Sequence, residues 1–370
     1  MTKEERKEHA LSVSNEYVAK ISPDDTEIMR EIENLPIQDV ITIHSNAKYA
    51  LKENMFFGIS EKALKAGEEP AVRFDKALGR LRRTIVERLK TAERLWTITD
   101  KITRSPYVSY DNEMWIFTER EYADECLDFY MQQYRTTLEV AEIPNEEITK
   151  FFEISSYMKG AKGFVVDAFA YAYVRIRNEE LIPRPNFDGV PFINRPVMNP
   201  DLFRAVAKLR QEMLYRANYD GKAERLRKFE DEMIKEFNKA KFLVPVKGLG
   251  EAINQNGLKS GEGIVEKGTK ISIPSLSIGD GEQTRSAFPI FTDWEEFNKT
   301  FSQDEWGGWI WTLEDVAAFL KDGNDGAILD AGSLAFETSK KMIGQMLEIY
   351  RNEFENGGKK EAEKQATNDA

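Results

Sequence analysis

From Phe74 onward, apolar residues return at helical spacing. Leu78, Leu81, Ile85 and Leu89 form one stripe and predict an amphipathic helix. The apolar run Leu95 to Ile98 predicts a strand. Pro106 to Tyr110, the turn signal Asp111-Asn112 and Met114 to Phe117 predict a hairpin. Thr118 with Glu121 three residues on has the form of a capping box and predicts a helix to about Tyr134. A helix over Asn145 to Phe152 and a buried strand over Gly163 to Asp167 follow. Upstream, Ser22-Pro23-Asp24-Asp25 has the cap, the first-turn proline and the acidic start of a helix that ends near Leu35, before Pro36. The β-branched run Val40 to Ile43 predicts a strand, and Ser60 to Ala66 a short helix.

The pattern then repeats. The stripe recurs 148 residues later as Leu226, Phe229, Met233 and Phe237, and the same offset carries Leu95 onto Leu243 and Ile98 onto Val246. The hairpin recurs as Pro274 to Ile278, Gly279-Asp280-Gly281 and Pro289 to Phe291. Ile116-Phe117-Thr118 and Glu121 recur as Ile290-Phe291-Thr292 and Glu295, with the capping-box spacing kept. The next helix recurs over Glu314 to Leu320. Asp167-Ala168 and Ala172-Tyr173 recur as Asp330-Ala331 and Ala335-Phe336 at equal spacing. A long period in only two copies predicts a duplicated α+β unit and not a solenoid; two unrelated domains that share an element order are the alternative. Between the copies, Pro183, Pro185, Pro191, Pro196 and Pro200 mark an extended connector, and Asn199-Pro200-Asp201 starts a helix to about Ala217. The expected architecture is α+β, with two tandem small sandwich domains of antiparallel or mixed sheet and helices. A mostly helical segment (1–73) precedes domains at 74–182 and 222–355, joined by residues 183–221 and followed by a disordered tail (356–370).

Copy two carries a family resemblance. Phe242-Leu-Val-Pro-Val246, Phe288-Pro-Ile-Phe-Thr-Asp293, the acidic helix after it, and Gly326-Ala-Ile-Leu-Asp-Ala331 resemble the N-terminal domain of the SseB (enhanced serine sensitivity) family of bacterial proteins. The likeness covers about residues 226–345 well and 74–180 more faintly. The late strand of that family often runs into Asn-Pro, whereas both copies here have Asp-Ala, and copy one has Trp96-Thr97 in place of Val-Pro. The resemblance implies a fold and brings no established chemistry.

Composition narrows the chemistry. Of the 370 residues, 52 are Lys or Arg and 64 are Asp or Glu, a formal net charge of −12, which argues against a general nucleic-acid coat or an anionic-membrane binder. Cys126 is the single cysteine and His9 and His44 are the two histidines, which excludes a disulfide framework and a Cys/His zinc site and argues against Ser-His or Cys-His catalysis. The charged start lacks the apolar core of a secretory signal. No apolar run approaches the ~20 residues of a membrane span. A cytoplasmic protein without membrane contact or cofactor is expected.

Few residues stand out as sites. Asp167 and Asp330 end matched strands, where a carboxylate either closes a turn or holds a ligand. Trp306, Trp309 and Trp311 either pack as a lid or form a contact surface. Their spacing with two glycines points away from regular structure, with Trp311 packed and Trp306 the most exposed. Eight cations against three carboxylates over Arg73 to Arg94 read as a solvated helix face or as a dock for an acidic partner or RNA. The glycine-rich residues 248–269 are expected as an exposed insertion. Gly263 to Lys270 misses a phosphate-binding loop because Lys and Thr stand in the wrong order. His44 has no metal or catalytic constellation in the sequence. The expected function is non-enzymatic, through an unidentified protein partner. The alternative is a sensor for a small metabolite such as an amino acid. Oligomeric state and partner identity are not encoded legibly.

Overall fold

A computed structural model describes residues 1–21, 25–53, 70–190, 195–248, 271–279, 284–320 and 324–355. The Ser22–Asp24 helix start, the helix at 60–66, residues 249–269 of the glycine-rich insertion and the tail lie outside the described residues. The fold is mixed α and β, as the alternating patterns imply. Contacts divide it into two compact units. The first holds Met1–Thr99, Pro106–Ser155 and Ala161–Pro185, and the second holds Asp100–Ser105, Ser156–Gly160 and Asn186–Ala370.

The first unit begins with helices α1 (Lys3–Tyr17), α2 (Thr26–Asn34), α3 (Ile37–Lys52) and α4 (Pro70–Lys90). Asp25 caps α2 by accepting from the Ile28 amide. The strand expected at Val40–Ile43 instead lies within the first half of α3. Asp39 through His44 are all buried, with α1 and α4 packed on α3. A helix covered all round has a continuous apolar run and no period, which periodicity cannot separate from a strand. The α4 stripe Leu78, Leu81, Ile85 and Leu89 is buried as its spacing requires.

The sheet follows: β1 (Arg94–Asp100), β2 (Met114–Phe117), α5 (Arg120–Tyr134), β3 (Leu138–Pro144), α6 (Asn145–Tyr157), β4 (Gly163–Val166), β5 (Val174–Arg177) and the short α7 (Asn178–Leu181). Strand order is β3-β1-β2-β4-β5. β2 is antiparallel to β1 and parallel to β4, and β5 is antiparallel to β4. The first arm of the predicted hairpin makes only single bridges, Thr99 to Pro106 and Val108 to Met114, and Asn112 takes the left-handed turn position at φ 65°.

The second unit comprises α8 (Pro200–Leu214), α9 (Lys222–Lys239), β6 (Phe242–Gly248), β7 (Ile271–Ser272), β8 (Leu276–Ile278), β9 (Arg285–Ile290), α10 (Trp294–Asn298), β10 (Gly307–Trp311), α11 (Leu313–Phe319), β11 (Gly326–Leu329), β12 (Phe336–Ser339) and α12 (Lys340–Ile349). Its sheets run β10-β6-β7 and β12-β11-β9-β8. They are joined where Leu243 and Phe291 exchange both backbone bonds at 2.9 Å. Through that bridge the order β10-β6-β9-β11-β12 reproduces β3-β1-β2-β4-β5. The parallel central pair and the antiparallel last pair are the same. Val166 pairs with Val174 and Leu329 with Phe336, so the closing turn is one residue shorter in the second unit and the equal spacing expected through Ala335-Phe336 ends within it. Asn199 accepts no capping bond from the first turn of α8. Its amide instead binds Lys241 N–H and O and the Thr292 carbonyl, tying the start of α8 to β6 and β9.

Gly163 and Gly326 open the matched strands β4 and β11. A Cβ on Gly326 would lie 2.0 Å from the Thr338 carbonyl, and one on Gly163 would lie 2.9 Å from that of Ile176. Gly79, inside α4, has open space around it. Gly326→Ala is therefore expected to destabilise by at least ~1–3 kcal/mol, while Gly79→Ala stabilises by about 0.5–1 kcal/mol. Urea unfolding of the two variants measures both signs.

Candidate functional site

Both late strands end in a buried Asp with left-handed backbone, Asp167 at φ 58° and Asp330 at φ 49°. Each Asp amide continues the parallel ladder, bonding Ile116 O at 2.9 Å and Ile290 O at 3.0 Å. Each carboxylate then accepts two bonds from one threonine. Asp167 takes the Thr118 amide at 2.7 Å and hydroxyl at 2.8 Å; Asp330 takes the Thr292 amide at 2.8 Å and hydroxyl at 2.9 Å. This corrects the capping boxes. Neither threonine caps a helix. The N-cap of α5 is Glu119, which makes no side-chain cap, and that of α10 is Asp293, which accepts from the Glu296 amide. The threonines stand one residue too early and are spent across the sheet.

The two corners differ in what surrounds them. In the second unit, Glu296 takes Lys159 and Ser333 on its two carboxylate oxygens, with Lys299 at 2.7 Å. Lys159 also lies 3.9 Å from the Phe203 ring centroid. Burial works to raise Glu296, but the two ammonium groups outweigh it and hold the carboxyl below its ordinary range. Burial, with the charges of Glu296 and Asp293, pushes Asp330 well up. Apart from the partly exposed Lys299, this network is buried.

The first unit has Tyr122 where the second has Glu296, and Ala170 where it has Ser333. Here the space is open. A cavity of about 200 Å³ is lined by Arg6, Gln38, Thr42, Tyr122, Asp167 and Phe169 among others. It adjoins one of about 230 Å³ that shares Arg6, Gln38, Thr42 and Tyr122 and adds His9 and Asp39. Gln38 donates to Thr118 Oγ1 at 3.1 Å, which extends the chain to Asp167, and His9 Nε2 lies 2.9 Å from Asp39. Arg6 is held by Glu125 and sits over the Tyr122 ring. Burial pushes Tyr122 up to about 12, with Asp167 adding to it.

Beside the corner lies an aromatic surface. Phe169 has φ 68°, unusual for a bulky side chain, and the corner fixes its ring outward, 42% exposed. It touches Phe129 at 5.0 Å and Trp115 at 5.6 Å between ring centroids, and Phe129 and Tyr171 are exposed as well. Sequence reasoning missed this patch, because Phe129 and Phe169 are far apart in the chain and neither sits in a motif. It also missed Lys159, whose partner is 137 residues away.

Trp306, Trp309 and Trp311 are all half-buried. The expectation that their glycines break regular structure is overturned. Gly307 to Trp311 is β10, paired with β6, and a Cβ on Gly308 would lie 2.7 Å from the Trp294 ring. The glycine is there to admit that indole. Trp309 and Trp311 share one face of the strand. Trp311 stacks on Phe288 and Phe319, and Trp306 on Phe301 beside the Leu243–Phe291 cluster. Cys126 is buried, which raises its thiol. Among the described residues no group of three or more His, Cys, Asp or Glu could hold a metal ion, and no helix is long and apolar enough to cross a membrane.

Burial pushes Asp167 from its ordinary 3.8 up to about 7, against the Thr118 bonds that lower it. The unfolded chain therefore ionises this group first as pH rises. Its contribution falls between about 4 and about 7 and is level above. Asp167→Asn is expected to flatten that part of the stability profile, measured as urea midpoints against pH. An unchanged slope would mean an ordinary carboxyl.

Compared with known proteins, residues 221–345 match the family described as SseB protein N-terminal domain. No curated protein and no solved structure matches the chain.

Proposed function

We propose that the protein is a non-enzymatic, cytoplasmic protein-binding module in which residues 74–182 are a second SseB-like domain ahead of the matched one. The shared strand order, the glycine that opens each late strand and the repeated Asp–Thr clamp support the duplication. One observation carries the binding role: the aromatic surface of Phe129, Phe169 and Tyr171, with Phe169 held outward by a strained backbone. Exposed rings in contact with one another are what an interface core uses. Glu121 and Asp128, exposed on the same helix as Phe129, suit a partner segment with Lys or Arg beside its apolar anchor. The half-buried Trp306, Trp309 and Trp311 are a lesser contact surface on this reading. Phe129→Ser with Phe169→Gly should leave the melting temperature within a few degrees and remove a partner that the wild type captures by crosslinking in cells. Retention of the same partner would move the contact elsewhere.

A second reading has its own observation. Arg6 lines both cavities, one of which also has the buried carboxyl of Asp167 and the other that of Asp39, a set of charges that suits a small zwitterion such as an amino acid. A thermal-shift screen with amino acids should then show a shift that Arg6→Met abolishes. No shift at millimolar ligand sets this reading aside.

A further inference from the structure

A separate cavity of about 650 Å³ in the first unit lies between one face of α3 and the start of β5. His44, Lys48, Tyr49 and Lys52 line it from the helix, and Tyr173 and Arg175 from the strand. It falls within the ~300–1,000 Å³ that small-molecule sites occupy. Its described lining holds three cations and no carboxylate, in a chain of net charge −12. Arg175 is shared with Asp111 at 3.3 Å and Glu113 at 3.5 Å, so among the described residues Lys48 and Lys52 carry most of the positive charge not held in an ion pair. At i, i+4 these two repel, which opposes the helix and serves no packing purpose. Tyr49 is 62% and Tyr173 49% exposed, two large rings turned to the same space.

His44 is the third element. It is almost wholly buried, and its Nδ1 has no hydrogen-bond partner among the described residues. Burial, then the charges of Arg82 and Lys48, push the imidazole down to about 4, so it is neutral near pH 7. The residue thus adds an uncharged ring, and no further cation, to the lining.

We propose that this cavity binds a free nucleoside diphosphate, with the phosphates on Lys48 and Lys52 and the base against Tyr49 and Tyr173. Ammonium groups supply point charges for phosphate, and tyrosine faces accept any base by stacking. The site is distinct from the Asp167 corner.

Calorimetric titration of the full chain with ADP, adenosine and inorganic pyrophosphate tests it. ADP is expected to bind at least ~10-fold more tightly than either half, because joining the two halves makes the second contact intramolecular. Lys48→Gln with Lys52→Gln should weaken ADP and pyrophosphate and leave adenosine unchanged. Tyr49→Ser with Tyr173→Ser should weaken ADP and adenosine and leave pyrophosphate unchanged. All four side chains lie at the surface of the cavity, and matching melting temperatures verify that the variants fold. No ADP binding, or binding that neither pair alters, overturns the proposal. Pyrophosphate as tight as ADP reduces the site to an anion patch and overturns it. Tighter binding of a single-stranded RNA oligonucleotide overturns the assignment to a free nucleotide.

Discussion

A buried carboxylate at a left-handed residue holds the strand ends of each unit together. Asp167 and Asp330 each continue the parallel ladder through their amide and clamp the neighbouring strand's threonine through both oxygens. Two bonds from one residue fix position and direction together. They set where the next helix starts and how the following turn leaves the sheet. Burying the carboxylate raises its proton affinity, and the threonine bonds offset part of that cost.

One frame with two fillings explains why the units need not share a role. At equivalent places the first unit has Tyr122 and Ala170 and the second has Glu296 and Ser333. With Glu296 comes Lys159, and the space is filled by an ion network in which Glu296, Asp330, Asp293, Lys159 and Ser333 are 0% to 7% exposed. Such a network is costly to break, because each charge would be left without its partner. With Tyr122 the space stays open, walled by α1 and α3 and reached by Arg6. The difference lies in two side chains and in what packs beside them, not in topology.

The same frame also decides where apolar surface is shown. α5 is fifteen residues long and carries Phe129 out to the corner, whereas its counterpart α10 has five residues and turns Phe297 into the core. In the second unit the indoles are drawn inward: Trp294 rests on Gly308, Trp311 on Phe288, Trp306 on Phe301. Aromatic surface is thus spread outward in one unit and folded into the core in the other.

Much was legible in the sequence. The α4 and α9 stripes, the strands at 95–98 and 243–246 and the matched Asp-Ala corners are local or periodic signals, and periodicity directly reports which face is buried. The proposed duplication rests on their recurrence, with one offset of 148 residues holding from the stripe through the strand that follows it. Tertiary structure decided the rest. Val40–Ile43 became helix because neighbours cover it on every side, which erases the period. Thr118 and Thr292 left their helices because a carboxylate 49 and 38 residues away in the chain outbid the local amide. Gly308 entered a strand because Trp294 needed its space. The paired cavities beside Asp167, the aromatic surface and the His44 cavity all join residues distant in the chain, and no local pattern encodes such a meeting: it exists only once the sheet has brought its strand ends together.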